Sequence, residues 1–288
     1  MPTSGTSERI AEAFESARAD GGRAALMPYL MGGFPDIAQS LRIGLACAEA
    51  GADLVELGVP FSDPLADGPV IHAAGTAALE AGATVEGVLE VARALAAELP
   101  VVIMCYANPI LARGLERFAD MLVGAEVSGL IVPDLPLEEA DPALAVCDER
   151  GLALVPLVAP TTPDERLERI GARARGFVYV VSLTGTTGER SSLWDALPAL
   201  VERARERSQV PVAVGFGIGT PDQARAVAAA GADGVIIGSR LVRAAAESAD
   251  PAGAVGEVVR GFAAALTGSS AGHPRPRSEG IARRSPLT

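Results

Sequence analysis

Glu56 and Asp67 are the residues of this chain whose types and spacing point most directly to chemistry. They bracket the segment ELGVPFSDPLADGP, which follows the apolar, strand-like run Ala52–Leu57. In a parallel α/β protein the C-terminal ends of strands are where side chains leave the sheet and meet a substrate, and Glu56 is expected there. An apolar residue would pack at that position, so a carboxylate in its place carries a raised pKa suited to proton transfer. Asp67 lies across a loop stiffened by Pro60, Pro64 and Pro69, which brings a second carboxylate back over the strand end. The competing reading is an ordinary loop whose Asp and Pro residues only cap a helix and fix turns.

Composition narrows the remaining chemistry. All 24 basic residues are arginine, so no Schiff base to an internal lysine can form, which excludes a lysine-type aldolase or covalently held pyridoxal phosphate. His72 and His273 are the only histidines, too few for a histidine-rich zinc site, and no metal is expected. Cys47, Cys105 and Cys147 are odd in number and widely spaced, which fits reduced, packed thiols in a cytoplasmic protein. A net charge of −12 argues against a nucleic-acid partner. No run approaches a membrane span and the N-terminus lacks a signal peptide's apolar core, so neither membrane insertion nor export is expected.

Three glycine clusters offer a site for an anion: Thr184-Gly185-Thr186-Thr187-Gly188, Gly215-Phe216-Gly217-Ile218-Gly219, and Gly238-Ser239. The middle one has GxGxG spacing late in the chain and is not a dinucleotide fingerprint. Loops after the last strands of a barrel commonly hold phosphate through backbone N–H groups, with no cationic side chain required.

These groups need a scaffold. Strands are expected near Leu26–Met31, Leu54–Leu57, Val101–Tyr106, Gly129–Val132, Ala153–Leu157, Phe177–Val181, Val212–Val214 and Gly234–Ile237. Amphipathic segments such as Ile37–Ala50, Thr84–Glu98, Glu138–Arg150, Pro163–Gly171, Trp194–Arg207 and Pro221–Ala230 alternate with them. Eight strands in strict alternation with helices imply parallel pairing and a closed (β/α)8 barrel, against a doubly wound open sheet. A 49% apolar fraction with only 4% aromatic residues suits a core of Ala, Val, Leu and Ile. A helix over Glu8–Asp20, with Ile10, Ala13, Phe14 and Ala17 on one face, is expected to plug the N-terminal mouth. One domain is expected over 1–267. The tail 268–288, rich in Ser, Gly and Pro and carrying Arg275, Arg277, Arg283 and Arg284 against Glu279, is expected to be disordered.

With those pieces in place, the sequence resembles the α subunits of tryptophan synthase. The motifs LMPYLMGGFPD, ELGVPFSDPLADGP, CYANPI, VPDLPLEE, GTTGER, VGFGIG and GVIIGS occur in that family's order, over about Ala25–Val242. The resemblance implies a TIM barrel that cleaves indole-3-glycerol phosphate to indole and glyceraldehyde 3-phosphate. It also implies a β-subunit partner in an αββα heterotetramer, with pyridoxal phosphate in that partner alone and no cofactor here. Glu56 then matches the general acid/base and Asp67 the carboxylate facing the indole nitrogen. Tyr29, Ile71, Met104, Tyr106, Tyr179, Thr187 and Phe216 match the substrate pocket, and Gly188, Gly217, Gly238 and Ser239 the phosphate site. Asp134-Leu135-Pro136 corresponds to a loop that closes near the β subunit. Phe34, His72, Cys105 and Ala107 depart from the family's commonest types, and none of these departures removes a catalytic group. The alternatives are another phosphate-binding barrel such as a sugar-phosphate isomerase, a free-standing lyase that releases indole, and a catalytically silent activator of a β subunit.

Overall fold

The structure, a computed structural model, describes residues 6–181, 190–215 and 217–267. The strands are β1 (Ala25–Met31), β2 (Val55–Gly58), β3 (Val101–Met104), β4 (Gly129–Ile131), β5 (Ala153–Val155), β6 (Leu157–Val158), β7 (Val178–Val181), β8 (Val212–Gly215) and β9 (Gly234–Ile237). All pair in parallel, in the order β5-β4-β3-β2-β1-β9-β8-β7-β6. The two ends of that order are consecutive pieces of one run. Where a single fifth strand was expected over Ala153–Leu157, the chain pairs with β4 up to Val155 and with β7 from Leu157. Pro156 divides the two pieces, because it has no N–H to give to a ladder, while its carbonyl accepts from the Tyr179 N–H at 3.0 Å. The barrel closes at that residue, and eight chain runs surround the lumen.

The helices are α1 (Glu8–Ala19), α2 (Ile37–Glu49), α3 (Pro69–Glu80), α4 (Val85–Ala96), α5 (Ala107–Leu111), α6 (Leu115–Gly124), α7 (Asp141–Glu149), α8 (Asp164–Arg173), α9 (Arg190–Glu206), α10 (Pro221–Ala229), α11 (Ser239–Glu247) and α12 (Pro251–Thr267). Their starts follow local chemistry. The Asp36 side chain accepts from Gln39 N–H at the start of α2 and Thr84 does the same for Gly87 at α4. Thr220 and Gln223 form a reciprocal capping box at α10, with Pro221 in the first turn. The similar triplet Thr162-Pro163-Asp164 behaves differently. Pro163 itself occupies the cap position of α8 and the Thr162 hydroxyl accepts from the Ala159 N–H, closing the preceding turn. The segment expected as one helix from Glu138 is a 3-10 turn over Leu137–Glu139 followed by α7.

Two cores result from the period-two alternation of the strands. Leu26, Leu30, Val55, Leu57, Val101, Ile103, Val178, Val180, Val235 and Ile237 face the helices in the outer core, while Met27, Tyr29, Leu54, Val102, Ile131, Phe177, Tyr179 and Ile236 face inward. The inner set continues into Ile10, Phe14 and Ala17 of α1. Phe14 meets the Phe177 ring at 5.9 Å, and a β-carbon at Gly234 would lie 2.9 Å from the Phe14 ring. The expected plug is therefore present, with Ala13 at its edge rather than fully buried. Outside the barrel, arginines pair with acids of neighbouring elements: Arg150 with Asp120, Arg166 with Glu138, Arg175 with Asp148 and Arg203 with Asp164. Half-exposed pairs of this kind add little stability individually; they explain how a chain without lysine uses its arginines.

Candidate active site

Glu56 is the second residue of β2, in register with Tyr29 of β1 and Val102 of β3. Its neighbours Val55 and Leu57 point to the helices, so alternation turns the carboxylate into the lumen, a layer deeper than the strand end where the sequence suggested it. The residue is fully buried, and neither carboxylate oxygen has a hydrogen-bond partner among the described residues. Burial, and then the nearby charge of Asp67, push its pKa up to about 8. At neutral pH Glu56 is thus a carboxylic acid with a proton to donate.

Asp67 lies at the end of the β2–α3 loop. Its Oδ1 accepts a hydrogen bond from the Tyr106 hydroxyl at 3.0 Å, and the same hydroxyl accepts from the Ala66 N–H at 3.0 Å. Burial raises the Asp67 pKa above the ordinary carboxylate value, while the Tyr106 hydrogen bond and then His72 pull it back. The two carboxylates consequently differ: one protonated inside the lumen, one held at the rim.

The chain has three tyrosines, and the structure brings all of them here. Tyr29 and Tyr179 point inward from β1 and β7, and Tyr106 follows β3; each is under a tenth exposed. Room for the first two comes from two glycines, Gly58 within the ELGVPFSDPLADGP motif and Gly215 within the middle glycine cluster, whose role as space for side chains sequence reasoning did not assign. A β-carbon on Gly58 would collide with the Tyr29 hydroxyl, and one on Gly215 with the Tyr179 hydroxyl. A signal existed in both cases, since each glycine shares the inward parity of its strand. Ile71 of α3 is buried in the same inner cluster, and Met104 packs against it.

Of the glycine-loop residues, Gly217 has φ of +54° with open space where a side chain would stand. Gly238 is the residue before α11, and a β-carbon there would lie 3.3 Å from the Tyr29 ring. Ser239 begins α11 and is exposed. Gly217, Gly238 and Ser239 thus lie at the C-terminal ends of β8 and β9, on the rim above Tyr29. Thr187, Gly188 and Phe216 lie outside the described residues, as does the tail 268–288.

The three cysteines play no part in this geometry, and His72 acts on Asp67 only through its charge. Cys47 and Cys105 are buried thiols pushed up to about 12, and Cys147 to about 11, which makes them inert packing residues. His72 is on the exposed face of α3. Among the described residues no group of three or more His, Cys, Asp or Glu side chains is placed to hold a metal ion, and no helix is long and apolar enough to cross a membrane.

A closed (β/α)8 barrel with a protonated carboxyl in its lumen, a second carboxylate at its rim and glycine turns after its last strands defines an acid/base enzyme of the TIM-barrel class. A family model described as tryptophan synthase alpha chain matches residues 14–264. Curated alpha chains are similar over most of their length: that of Synechococcus sp. (strain CC9902) is 52% identical over 239 residues, 82% of this chain and 88% of its own. That of Roseiflexus sp. (strain RS-1) is 50% identical over 237 residues, 81% of this chain and 90% of its own. Among solved structures, a chain of Mycobacterium tuberculosis tryptophan synthase superposes with a TM-score of 0.83 at 41% identity, covering 90% of this chain and 98% of that one. The alpha subunit from Legionella pneumophila str. Paris gives 0.83 at 36% identity, with the same coverages. The chain belongs to the tryptophan synthase alpha chain family.

Proposed function

We propose that Glu56 and Asp67 carry out the retro-aldol cleavage of indole-3-glycerol phosphate in the lumen of this barrel. The chain is a carbon–carbon lyase of tryptophan biosynthesis, as its family membership implies, and the residue roles follow from chemistry. Breaking the C–C bond needs an electron sink. With no lysine in the chain, the substrate supplies one itself: protonation of indole C3 makes an indolenine whose C=N accepts the electron pair of the breaking bond. Glu56 is the donor of that proton, and as the carboxylate so formed it takes the proton of the side-chain hydroxyl as the aldehyde appears. Asp67 stabilises the positive charge that develops at the indole N–H until the electron pair of the broken bond neutralises it, so that indole leaves with its N–H intact.

The observation that carries this reading is the fully buried Glu56 carboxyl, without a hydrogen-bond partner among the described residues and with its pKa pushed up to about 8. A purely structural carboxylate in that place would need hydrogen-bond partners. Tyr29, Ile71, Met104, Tyr106 and Tyr179 form the wall for the indole ring, with Thr187 and Phe216. Backbone N–H groups at Gly188, Gly217, Gly238 and Ser239 take the phosphate at the positive end of α11. No cofactor is assigned to this chain.

The partner proposed is a tryptophan synthase β subunit holding pyridoxal phosphate, in an αββα heterotetramer. Leu65 is 88% and Leu111 69% exposed; Leu65 lies on the loop after β2 and Leu111 ends α5, which follows β3, on the face where the substrate enters. Two large apolar side chains open to solvent beside the site support docking there, together with the Asp134–Pro136 loop. The deciding experiment is Glu56→Gln, which keeps shape but removes the transferable proton. Indole formation should fall by at least about a hundredfold while substrate still binds; near-normal turnover would sink the assignment.

A further inference from the structure

Tyr106 makes more contacts with the β2–α3 loop than a pocket wall requires. Its hydroxyl donates to Asp67 Oδ1 and accepts from the N–H of Ala66, both at 3.0 Å, and its ring meets that of Phe61 at 5.5 Å. One side chain therefore grips both ends of a loop whose middle, from Ser62 to Ala66, is largely solvent-exposed. Tyr106 is itself anchored. It is 3% exposed, the Cys105 N–H preceding it donates to Ile131 of β4 at 3.0 Å, and the Ala107 N–H following it donates to Asp134 Oδ1 at 2.8 Å.

We propose that Tyr106 is the positioning residue of the cleavage reaction, holding the Asp67 carboxylate at the indole nitrogen through a hydroxyl that fixes Ala66 and Asp67 together. The Ala66 amide orients the hydroxyl so that its proton points to Asp67, because an oxygen already accepting from one side donates on the other. The proposal rests on Asp67 acting in the reaction, so the tests keep the two apart.

Tyr106→Phe retains the ring and its packing on Phe61 and deletes only the hydroxyl. Loss of a hydrogen bond to a charged group corresponds to about ten- to a hundredfold. We expect kcat for indole-3-glycerol phosphate to fall by about that factor with KM within about threefold of the parent. The acid limb of the pH–rate profile should move to higher pH, since the bond that pulls the Asp67 pKa down is gone. The other titratable groups facing Asp67 are His72, Glu56 and Tyr29, and all remain. An unchanged kcat and acid limb, or a loss confined to KM, would overturn the proposal. Asp67→Asn is assayed in parallel: if it stays active, the role of Asp67 fails, whereas an inactive Asp67→Asn beside a fully active Tyr106→Phe refutes the positioning role alone. Should Tyr106→Phe not fold, the unsubstituted protein answers instead. With only three tyrosines, its 13C-tyrosine spectrum is assignable, and the Tyr106 ring carbon bearing oxygen should shift as Asp67 titrates and cease to do so in Asp67→Asn. A Tyr106 signal indifferent to that titration contradicts the proposal.

Discussion

At the scale of single residues, the decisive contrast is between two carboxyls a short loop apart. Glu56 has traded water for the lumen, with no hydrogen-bond partner among the described residues, so its charged form is penalised; Asp67 keeps a donor in Tyr106. The kcat/KM profile should therefore fall above pH 8 as Glu56 loses its proton, and fall again at low pH as Asp67 gains one, measurable from initial rates across a buffer series. The same shift bears on stability. The pKa of Glu56 is about 8 folded against an ordinary 4.5, so the folded chain holds a proton that the unfolded chain has lost between those values. The stability associated with that proton is complete below pH 4.5 and is lost as pH rises to about 8, on the order of 3–5 kcal/mol in all. Denaturant melts at pH 5 and pH 8 should show this decline in the parent chain and a much flatter response in Glu56→Gln. An equal decline in both would mean that Glu56 titrates normally.

At the scale of elements, the glycine turns after β8 and β9 are the proposed phosphate site, and their backbone shape supplies the test. A β-carbon at Gly238 would lie 3.3 Å from the Tyr29 ring, a close fit that needs only a small adjustment of that ring. Valine at Gly238 should weaken binding of indole-3-glycerol phosphate by about tenfold or more, by blocking the approach of phosphate oxygens to backbone N–H groups. Binding of the same indole glycerol without phosphate should change little. Equal losses for the two ligands, measured by calorimetry, would point to displacement of Tyr29 and not to the phosphate. Gly217 is the poorer test, because its φ of +54° strains any replacement regardless of the ligand.

At the scale of the whole molecule, the barrel has a closed end and an open one. The α1 plug fills the N-terminal mouth with Ile10, Phe14 and Ala17, so the face proposed for both substrate and partner is the opposite one, where Leu65, Leu111 and the Asp134 loop lie. Turnover should accordingly be low for the chain alone and rise when a tryptophan synthase β subunit is titrated in, as docking orders loops that exclude water. Arginine at Leu65 should reduce that rise while leaving the basal rate close to the parent value, read as glyceraldehyde 3-phosphate release. A basal rate already high and indifferent to the partner would favour a free-standing lyase.

Much of this was legible in the residues themselves. Strict alternation of short apolar runs with amphipathic segments determined a parallel barrel, because each crossover returns the chain in one direction. The motif around Glu56 and Asp67 marked the carboxylates, and the absence of lysine removed Schiff-base chemistry before any fold was known. Tertiary structure decided what one-dimensional spacing cannot express. It placed Glu56 within the lumen and not at the strand end, because strand stagger in a closed barrel sets depth. It split the fifth strand at Pro156, and it revealed Gly58 and Gly215 as the space beneath two tyrosines. Above all it joined Tyr106 to Asp67 across 39 residues of chain. That hydrogen bond exists only because adjacent parallel strands deliver their loops side by side, a neighbourhood that follows from barrel closure and from no local pattern.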